Sequence, residues 1–521
     1  MLARLRLALG RSSMYRLVLY YLAGLVVVAI VAAAFRVLPA SPTRLLGSAA
    51  YMALVCFISN LVLARLWRVQ ANSESQYITA LILALIFGPI AGTADLWRFA
   101  LAGTAAMGSK YLLAFSRRHV FNPAAFGSVA LLALAGYPSP WWLGSQPFLL
   151  PLIIVGGLLL VLRIRRFELV GAFLLGYLAL LAMSLLPRGL PLALAVFANP
   201  ATYTSIVFLG TVMLVEPLTG PAGRGLRLAY GIGVAALLTL LQHLPVPVPD
   251  ALELALLSGN LLARLARPSP RLDLSLVRKE QLAPDIMGFW FEPSRPFQFQ
   301  PGQFLEWSLP HPHPDASGTR RFFTIASSPT EPELLLATRV PAQPSSFKAA
   351  LRDLPAGSDV SAWGLDGSFT LPADRERPLA FIAGGIGITP FRSMLAYLLQ
   401  RQEHRSIVLL YSARNEQDLV FRDLFDKAAS IGLRTVYVPN VATSAGWHGR
   451  SGRIDAALIG AEVPDYAQRL FYISGPEAMV LAIEKLLADM GVKPANIKRD
   501  YFPGYAREQP AQVQPHLLAG P

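Results

Sequence analysis

A single cysteine, Cys56, stands in 521 residues. That scarcity excludes an internal disulfide framework, a four-cysteine zinc site and a cysteine-ligated iron–sulfur cluster. Charge is scarce as well. Asp, Glu, Lys and Arg make up 15% of the chain, against about 25% in an ordinary soluble protein. Acids are the scarcer sign, 32 against 46 Lys and Arg, which leaves a formal charge of +14. Apolar residues fill the space: 54% of the chain is hydrophobic and mean hydropathy is +0.46. The length corresponds to about three domain-sized units, and much of it has a composition suited to lipid. A basic chain suggests nucleic acid, but where the arginines fall argues against that partner.

Residues 1–266 are nearly continuous apolar runs broken by short Pro, Gly and Arg punctuation. They are too long and too multiply hydrophobic for a signal peptide. From about 271 onward, short β-branched runs alternate with charged, turn-rich pieces, the pattern of a soluble α/β protein. Arg264-Leu-Ala-Arg267-Pro-Ser-Pro-Arg271 joins the halves, with residues 267–271 as linker, because its prolines end any helix. Spans of about 20 apolar residues are expected near 15–36, 44–66, 77–92, 95–115, 122–138, 147–163, 168–187, 198–216, 225–244 and 250–265. If the N-terminus is cytoplasmic, the inner segments hold Arg4, Arg6, Arg11, Arg16, Arg65, Arg68, Arg117, Arg118, Arg163, Arg165, Arg166, Arg224, Arg227, Arg264, Arg267 and Arg271. The outer loops hold only Arg36, Arg44, Arg98 and Arg188. That bias follows the positive-inside rule, accounts for the basic charge, and puts the C-terminal half in the cytoplasm.

Four pieces of the second half suit one chemistry. The first is Pro301-Gly-Gln-Phe-Leu with Arg320-Arg-Phe-Phe-Thr-Ile-Ala-Ser-Ser328-Pro. A guanidinium grips a diphosphate bidentately, an aromatic two residues on can stack on a flavin ring, and the next hydroxyl can reach its N5. The second is Pro378-Leu-Ala-Phe-Ile-Ala-Gly384-Gly-Ile-Gly387-Ile-Thr389-Pro, an apolar strand, a glycine turn and a helix start. Such glycines let backbone N–H groups approach a dinucleotide pyrophosphate. The third, Ser406-Ile-Val-Leu-Leu-Tyr411-Ser-Ala-Arg414, ends in a hydroxyl and a guanidinium suited to an adenosine ribose or its 2′-phosphate. The fourth, Leu470-Phe-Tyr-Ile-Ser474-Gly-Pro476-Glu-Ala-Met479, is a strand ending in a Gly-Pro turn. Each alone also suits plain turn or core chemistry.

In this order the four resemble the ferredoxin–NADP+ reductase superfamily over about 271–505. The resemblance implies a six-stranded antiparallel β-barrel holding FAD at 272–372. It implies a doubly wound α/β domain holding NAD(P)H at 373–505, then a tail at 506–521. By position, Arg321 would bind the flavin diphosphate, with Arg339 and Ser346 completing the cradle; Phe323 would stack and Thr324 approach N5. Gly384, Gly385, Gly387 and Thr389 would line the nicotinamide cofactor, with Ser412 and Arg414 near its adenosine end and Ser474, Gly475 and Pro476 beside the hydride path. Thr324 and Ser474 are thus the expected catalytic pair, and no metal is expected. Three departures stand out: Phe323 replaces the usual tyrosine, Ser474 the usual cysteine, and Asp500 with Phe502 the usual Glu-x-Phe.

An apolar bundle under a flavin reductase suggests the ferric-reductase and NADPH-oxidase architecture. His119 and His243 are the only histidines before residue 271, and two cannot supply four axial haem ligands. The bundle instead resembles the membrane subunits of the sodium-pumping NADH:quinone reductase and the Rnf electron-transport complex (the NqrB/RnfD family), whose count is ten helices. The match lies in Ser73-Glu-Ser-Gln-Tyr-Ile-Thr79, Lys110, Val120-Phe-Asn122-Pro123-Ala-Ala-Phe126-Gly127, Val215-Glu216-Pro217-Leu-Thr219, Tyr230-Gly-Ile-Gly-Val and Asp250 to Asn260. Asn122 and Pro123 equally suit a helix N-cap and first helical position. The family's covalent-FMN sequence, [ST]-G-A-T, does not occur, so no covalent flavin is expected. A second, non-covalent flavin (FMN or riboflavin) or a quinone in the bundle stays open. Together these imply a multi-pass flavoprotein oxidoreductase of a bacterial-type cytoplasmic (inner) membrane. It would pass electrons from NAD(P)H through FAD to a quinone, second flavin or external carrier, alone or with other membrane electron-transport subunits. The alternatives are a redox-driven ion-translocating pump subunit and a reductase on a passive anchor.

Overall fold

Long apolar stretches satisfy their backbone groups most simply as helices, and the first half of the chain does so. The structure, a computed structural model, describes residues 14–67, 73–115, 118–164, 166–221, 223–266, 271–312, 314–315, 318–441, 447 and 449–502. Arg4, Arg6, Arg11, Arg68, Arg117, Arg165, Arg267, most of the expected linker and the 506–521 tail lie outside these residues. The chain divides into two compact units, Met1–Pro270 and Arg271–Pro521.

In the first unit the helices are α1 (Met14–Ala34), α2 (Pro42–Leu66), α3 (Ser73–Phe87), α4 (Thr93–Leu112), α5 (Pro123–Ala135), α6 (Leu150–Ile164), α7 (Phe167–Leu185), α8 (Leu190–Ala198), α9 (Pro200–Phe208), α10 (Arg224–Gln242) and α11 (Ala251–Ala266). A two-residue hairpin, β1 (Ala114–Phe115) and β2 (Arg118–His119), sits between α4 and α5. Every expected span coincides with a helix, but the lengths differ from ten full crossings. Five helical stretches are long and apolar enough to cross a bilayer: Met14–Ala34, Pro42–Leu66, Pro147–Ile164, Phe167–Arg188 and Arg224–Gln242. A bent pair, Leu190–Ala198 with Tyr203–Met213, makes a sixth if it counts as one span. α3 and α5 are apolar but short, and α4 carries Asp95, Arg98 and Lys110. The helix α8 falls in a stretch expected to be loop, because Pro191 occupies a first-turn position that needs no N–H partner. Large apolar side chains face outward on these helices; Leu134 exposes 73% and Leu175 70% of its surface.

The second unit opens with six antiparallel strands, β3 (Leu272–Ala283), β4 (Ile286–Pro293), β5 (Phe304–Ser308), β6 (Arg320–Thr324), β7 (Leu334–Arg339) and β8 (Asp359–Asp366), in the order β6-β5-β8-β3-β4-β7. The sheet curls round Leu274, Phe289, Phe291, Trp307 and Leu336. A backbone bond from Ala326 N to Leu335 O (2.8 Å) draws its two edges together. The short helix α12 (Ser346–Asp353) closes one end. Five parallel strands follow: β9 (Leu379–Gly384), β10 (Ile407–Asn415), β11 (Leu433–Val441), β12 (Leu470–Pro476) and β13 (Ile497–Phe502), in the order β11-β10-β9-β12-β13. Helices α13 (Thr389–Gln400), α14 (Arg422–Lys427), α15 (Ala456–Glu462) and α16 (Glu477–Asp489) complete the α/β layer. β9 is buried along its whole length, as a central parallel strand covered on both faces must be. The chain order reverses beside it, between β10 and β12, and that switch point is where a ligand crevice forms.

Candidate active site

The flavin-type motif lies on β6, where alternation puts Arg321 and Phe323 on one face. Arg321 is 5% exposed. Its Nη1 donates to the carbonyls of Gly318 (2.8 Å) and Arg320 (2.7 Å), and its Nη2 to Asp315 Oδ1 (3.0 Å). Phe323 is half-buried and its ring lies 5.8 Å from that of Phe347. Thr324 ends the strand, and its Oγ1 is buried with no hydrogen-bond partner among the described residues.

Ser346 opens α12 behind the N-cap Ser345. Its backbone N–H donates to Asp315 Oδ2 (3.0 Å) and its hydroxyl accepts from Asp315 N (2.9 Å). One carboxylate thus sits on both Arg321 and the start of a helix, a placement that an anion favours. Arg339 is placed differently from its sequence partners. Its guanidinium is taken up by Asp285 (2.6 Å) and by Asp418 (3.0 Å), tying the barrel to the segment after β10.

Lys348, which sequence reading passed over, adds a third cation beside Arg321 and Arg339. Its Nζ donates to the Arg339 carbonyl at 2.8 Å. Burial, then the neighbouring Arg321 and Arg339, push its ammonium down to about 8. The available signal was a lysine in the first turn of a short helix, where the macrodipole disfavours a cation.

At the other cofactor motif, β9 runs into a 3₁₀ turn, Gly385–Ile388, before α13. Gly385 has φ +54°, a left-handed conformation that costs glycine little. A Cβ on Gly387 would lie 2.5 Å from Ser474 O and 2.6 Å from Gly475 Cα, so only glycine lets this turn seat against the end of β12. Register brings Ser412 opposite Gly384 on one side and Ser474 opposite Ala383 on the other. Asp500 pairs with Ser474 and Phe502 with Pro476 across β12 and β13. Ser474 is fully buried and its Oγ has no partner among the described residues. Thr389 caps the turn through Oγ1 to Ile386 O (3.2 Å). Arg414 is exposed and makes no ion pair among the described residues.

The two motifs are pinned to each other through α13. Arg392 Nη1 donates to Ala326 O (3.0 Å), and Ser393 Oγ to Ser327 O (2.6 Å). The chain leaving Thr324 is therefore fastened to the first turn after the glycines. Two buried hydroxyls with no partner among the described residues, a cluster of three cations and a glycine turn that would not admit a Cβ fit a flavin nucleotide beside a nicotinamide nucleotide.

Comparison with known proteins agrees with this geometry. Residues 381–485 match the oxidoreductase NAD-binding domain family. The chain is 31% identical over 257 residues to the stachydrine N-demethylase reductase subunit Stc4 of Rhizobium meliloti, covering 46% of this chain and 70% of that protein. It is 30% identical over 223 residues to ferredoxin–NADP reductase B of Sorangium cellulosum, covering 41% of this chain and 86% of that one. Other curated relatives are spanned less fully, such as the Chromohalobacter salexigens glycine betaine monooxygenase reductase subunit, of which the chain covers 64%. Through its C-terminal half the chain belongs to the ferredoxin–NADP reductase-like family and is an FAD-dependent NAD(P)H oxidoreductase.

Proposed function

We propose that the protein is a membrane-bound reductase that carries electrons from NAD(P)H, through FAD on the barrel, to an acceptor in or beyond its helical unit. The observation that carries the reading is the fastening of the Arg321–Thr324 strand to the glycine turn through Arg392 and Ser393, which holds two nucleotide sites in one rigid frame. FAD, when bound, would supply the two-electron redox chemistry that links NAD(P)H to the acceptor. Arg321, Lys348 and the N–H of Ser346 neutralise and orient the diphosphate, displacing the Asp315 carboxylate. Phe323 would pack against the flavin ring, and the Thr324 hydroxyl, buried without a partner among the described residues, would donate to the flavin. Gly384, Gly385, Gly387 and Thr389 shape the nicotinamide crevice, while Ser474, Gly475 and Pro476 form its floor and exclude water. Ser412 and Arg414 take the adenosine end. Arg339 acts at a distance, as the ion-pair tie between barrel and α/β domain.

The membrane part of the reading is supported by the outward-facing apolar side chains and by the arginine asymmetry. The bundle's part in electron flow is supported by a meeting of distant motifs. Asn122 caps α5 through Oδ1 and donates from Nδ2 to Glu216 Oε2 (2.9 Å); Glu216 Oε1 meets His119 Nε2 (2.9 Å). Asn260 accepts from Asn122 N and donates to the Tyr230 hydroxyl (2.7 Å). A small cleft opens beside them, lined by Tyr15, Ser75, Thr79, Asn122 and Glu216 among mostly apolar side chains. The residues of this meeting are among those that carry the resemblance to the NqrB/RnfD family, which supports reading the cleft as a candidate site for a non-covalent flavin or a quinone headgroup. Acid precipitation of the purified full-length protein, with chromatography of the released flavins, tests it. One FAD alone leaves the cleft to a quinone; FAD plus a second released flavin assigns it to that flavin; fluorescence retained on the pellet overturns non-covalent binding. Arg321→Ala and Thr324→Ala are expected to abolish FAD retention and to slow NAD(P)H oxidation respectively, and unchanged oxidation in both sinks the flavin-site assignment.

A further inference from the structure

Two buried carboxylates in the helical unit have no ion-pair partner among the described residues. Asp250 precedes α11 and Glu253 is in its first turn; they are 7% and 0% exposed. Ser139 and Trp141, from the segment after α5, are side chains that hydrogen-bond them, and the backbone N–H of Glu253 also faces its own carboxylate. Ser139 N–H donates to Asp250 Oδ1 (2.7 Å), and Trp141 Nε1 donates to Glu253 Oε1 (2.9 Å). Ser139 Oγ stands between the acids, 2.9 Å from Asp250 Oδ1 and 2.8 Å from Glu253 Oε1. Among the described residues, no lysine, arginine or histidine makes an ion pair or hydrogen bond with either acid. The second oxygens, Asp250 Oδ2 and Glu253 Oε2, are buried and accept from nothing among the described residues.

Two arguments lead to the same missing species. A hydroxyl has one hydrogen, so it cannot donate fully to two carboxylates, and the second contact needs a hydrogen on a carboxyl group. Two buried negative charges in an apolar setting also need compensation, since an unpaired buried charge is strongly disfavoured. The two unpartnered oxygens are where that positive charge is lacking. We propose that Asp250 and Glu253 form a binding site for one exchangeable proton, held as an un-ionised carboxyl next to a carboxylate. Binding converts one carboxylate and one proton into a carboxylic acid; release returns both, with no change in oxidation state. The site lies about 10–15 Å along α11 from Asn260, by the helical rise. It is therefore separate from the Asn122–Glu216 network at the opposite end of the antiparallel α5–α11 pair.

Infrared spectroscopy of the full-length protein in detergent, in sodium-free potassium buffer near neutral pH, reads this proton directly. The expected result is a carboxylic-acid C=O band that shifts in D₂O and is lost in Glu253→Gln. Ser139→Ala keeps both acids and removes only the bridging hydroxyl, so it should move the band rather than abolish it. Superimposable spectra of wild type and Glu253→Gln overturn the proposal, and so does an unmoved band in Ser139→Ala. Loss of the wild-type band on replacing potassium with sodium also overturns it, because the site would then take a metal cation. NAD(P)H oxidation with ferricyanide is expected to be unchanged in both variants. That assay reports on the FAD and NAD(P)H sites, so their failure and the failure of the proton site are read separately.

Discussion

Lys348 sits under opposing demands. With no diphosphate present, its ammonium is crowded by Arg321 and Arg339 and desolvated, so its folded value of about 8 lies below that of an unfolded lysine. The folded protein then binds fewer protons than the unfolded chain above about pH 8, so the stability of the flavin-free protein should rise with pH from there toward the ordinary lysine range near 10.4. Melting of the flavin-free protein across that window, compared with Lys348→Met, checks the sign: the variant should melt higher near neutral pH and lose the rise. The same variant should bind FAD roughly tenfold more weakly, the worth of one charge-assisted contact of about 1.5 kcal/mol, as read by flavin fluorescence. A purely structural lysine would lower both melting and affinity. In wild type, FAD affinity should fall as pH climbs through about 8. Arg321, Phe323 and Thr324 were legible as sequence because one strand carries all three. Lys348 and Asp315 were not, because each reaches Arg321 only when the helix after β7 and the loop before β6 pack against that strand.

Among elements, the turn between β9 and α13 is the least forgiving. Gly387→Ala pushes a methyl group into the backbone of Ser474 and Gly475, atoms that cannot rotate away. A cost of about 1–3 kcal/mol from overpacking should appear as a higher KM for NAD(P)H with FAD content retained, measured by steady-state kinetics beside flavin absorbance. If KM and FAD content are unchanged, the turn does not line the nicotinamide crevice. Arg392→Ala should loosen both sites at once, since that side chain also pairs with Glu331 (2.8 Å) while holding Ala326. The strand–turn–helix order around Gly384 was readable because glycine spacing after an apolar run is local. Helix lengths in the first unit were less so. Apolar periodicity marks where a helix runs, but α3, α5 and α11 stop at 15, 13 and 16 residues, ended by turns and caps such as Gly136 in the left-handed conformation (φ +62°).

For the whole molecule, the division into units makes a separable prediction. The unit Arg271–Pro521 has its own cores in barrel and sheet, so produced alone it should fold, bind FAD and oxidise NAD(P)H with ferricyanide at close to the full-length rate. Reduction of the membrane acceptor should fall at least tenfold, and equal rates would reduce the helical unit to an anchor. Reporter fusions after residue 266 and after residue 138 should read cytoplasmic and external, as the arginine bias requires. By itself the sequence determined the two-part plan and the reductase family of the second part. Those depend on composition and on residues a few positions apart, where strand and turn geometry is local. The tertiary structure alone decided that Arg339 serves Asp285 and Asp418 while Lys348 lies near enough to Arg321 to feel its charge. It also decided that Asn122 meets Glu216 and Asn260, and that Ser139 bridges Asp250 and Glu253. These partners lie tens to more than a hundred residues apart, and side chains so distant are brought within hydrogen-bond reach by packing, which no local pattern encodes.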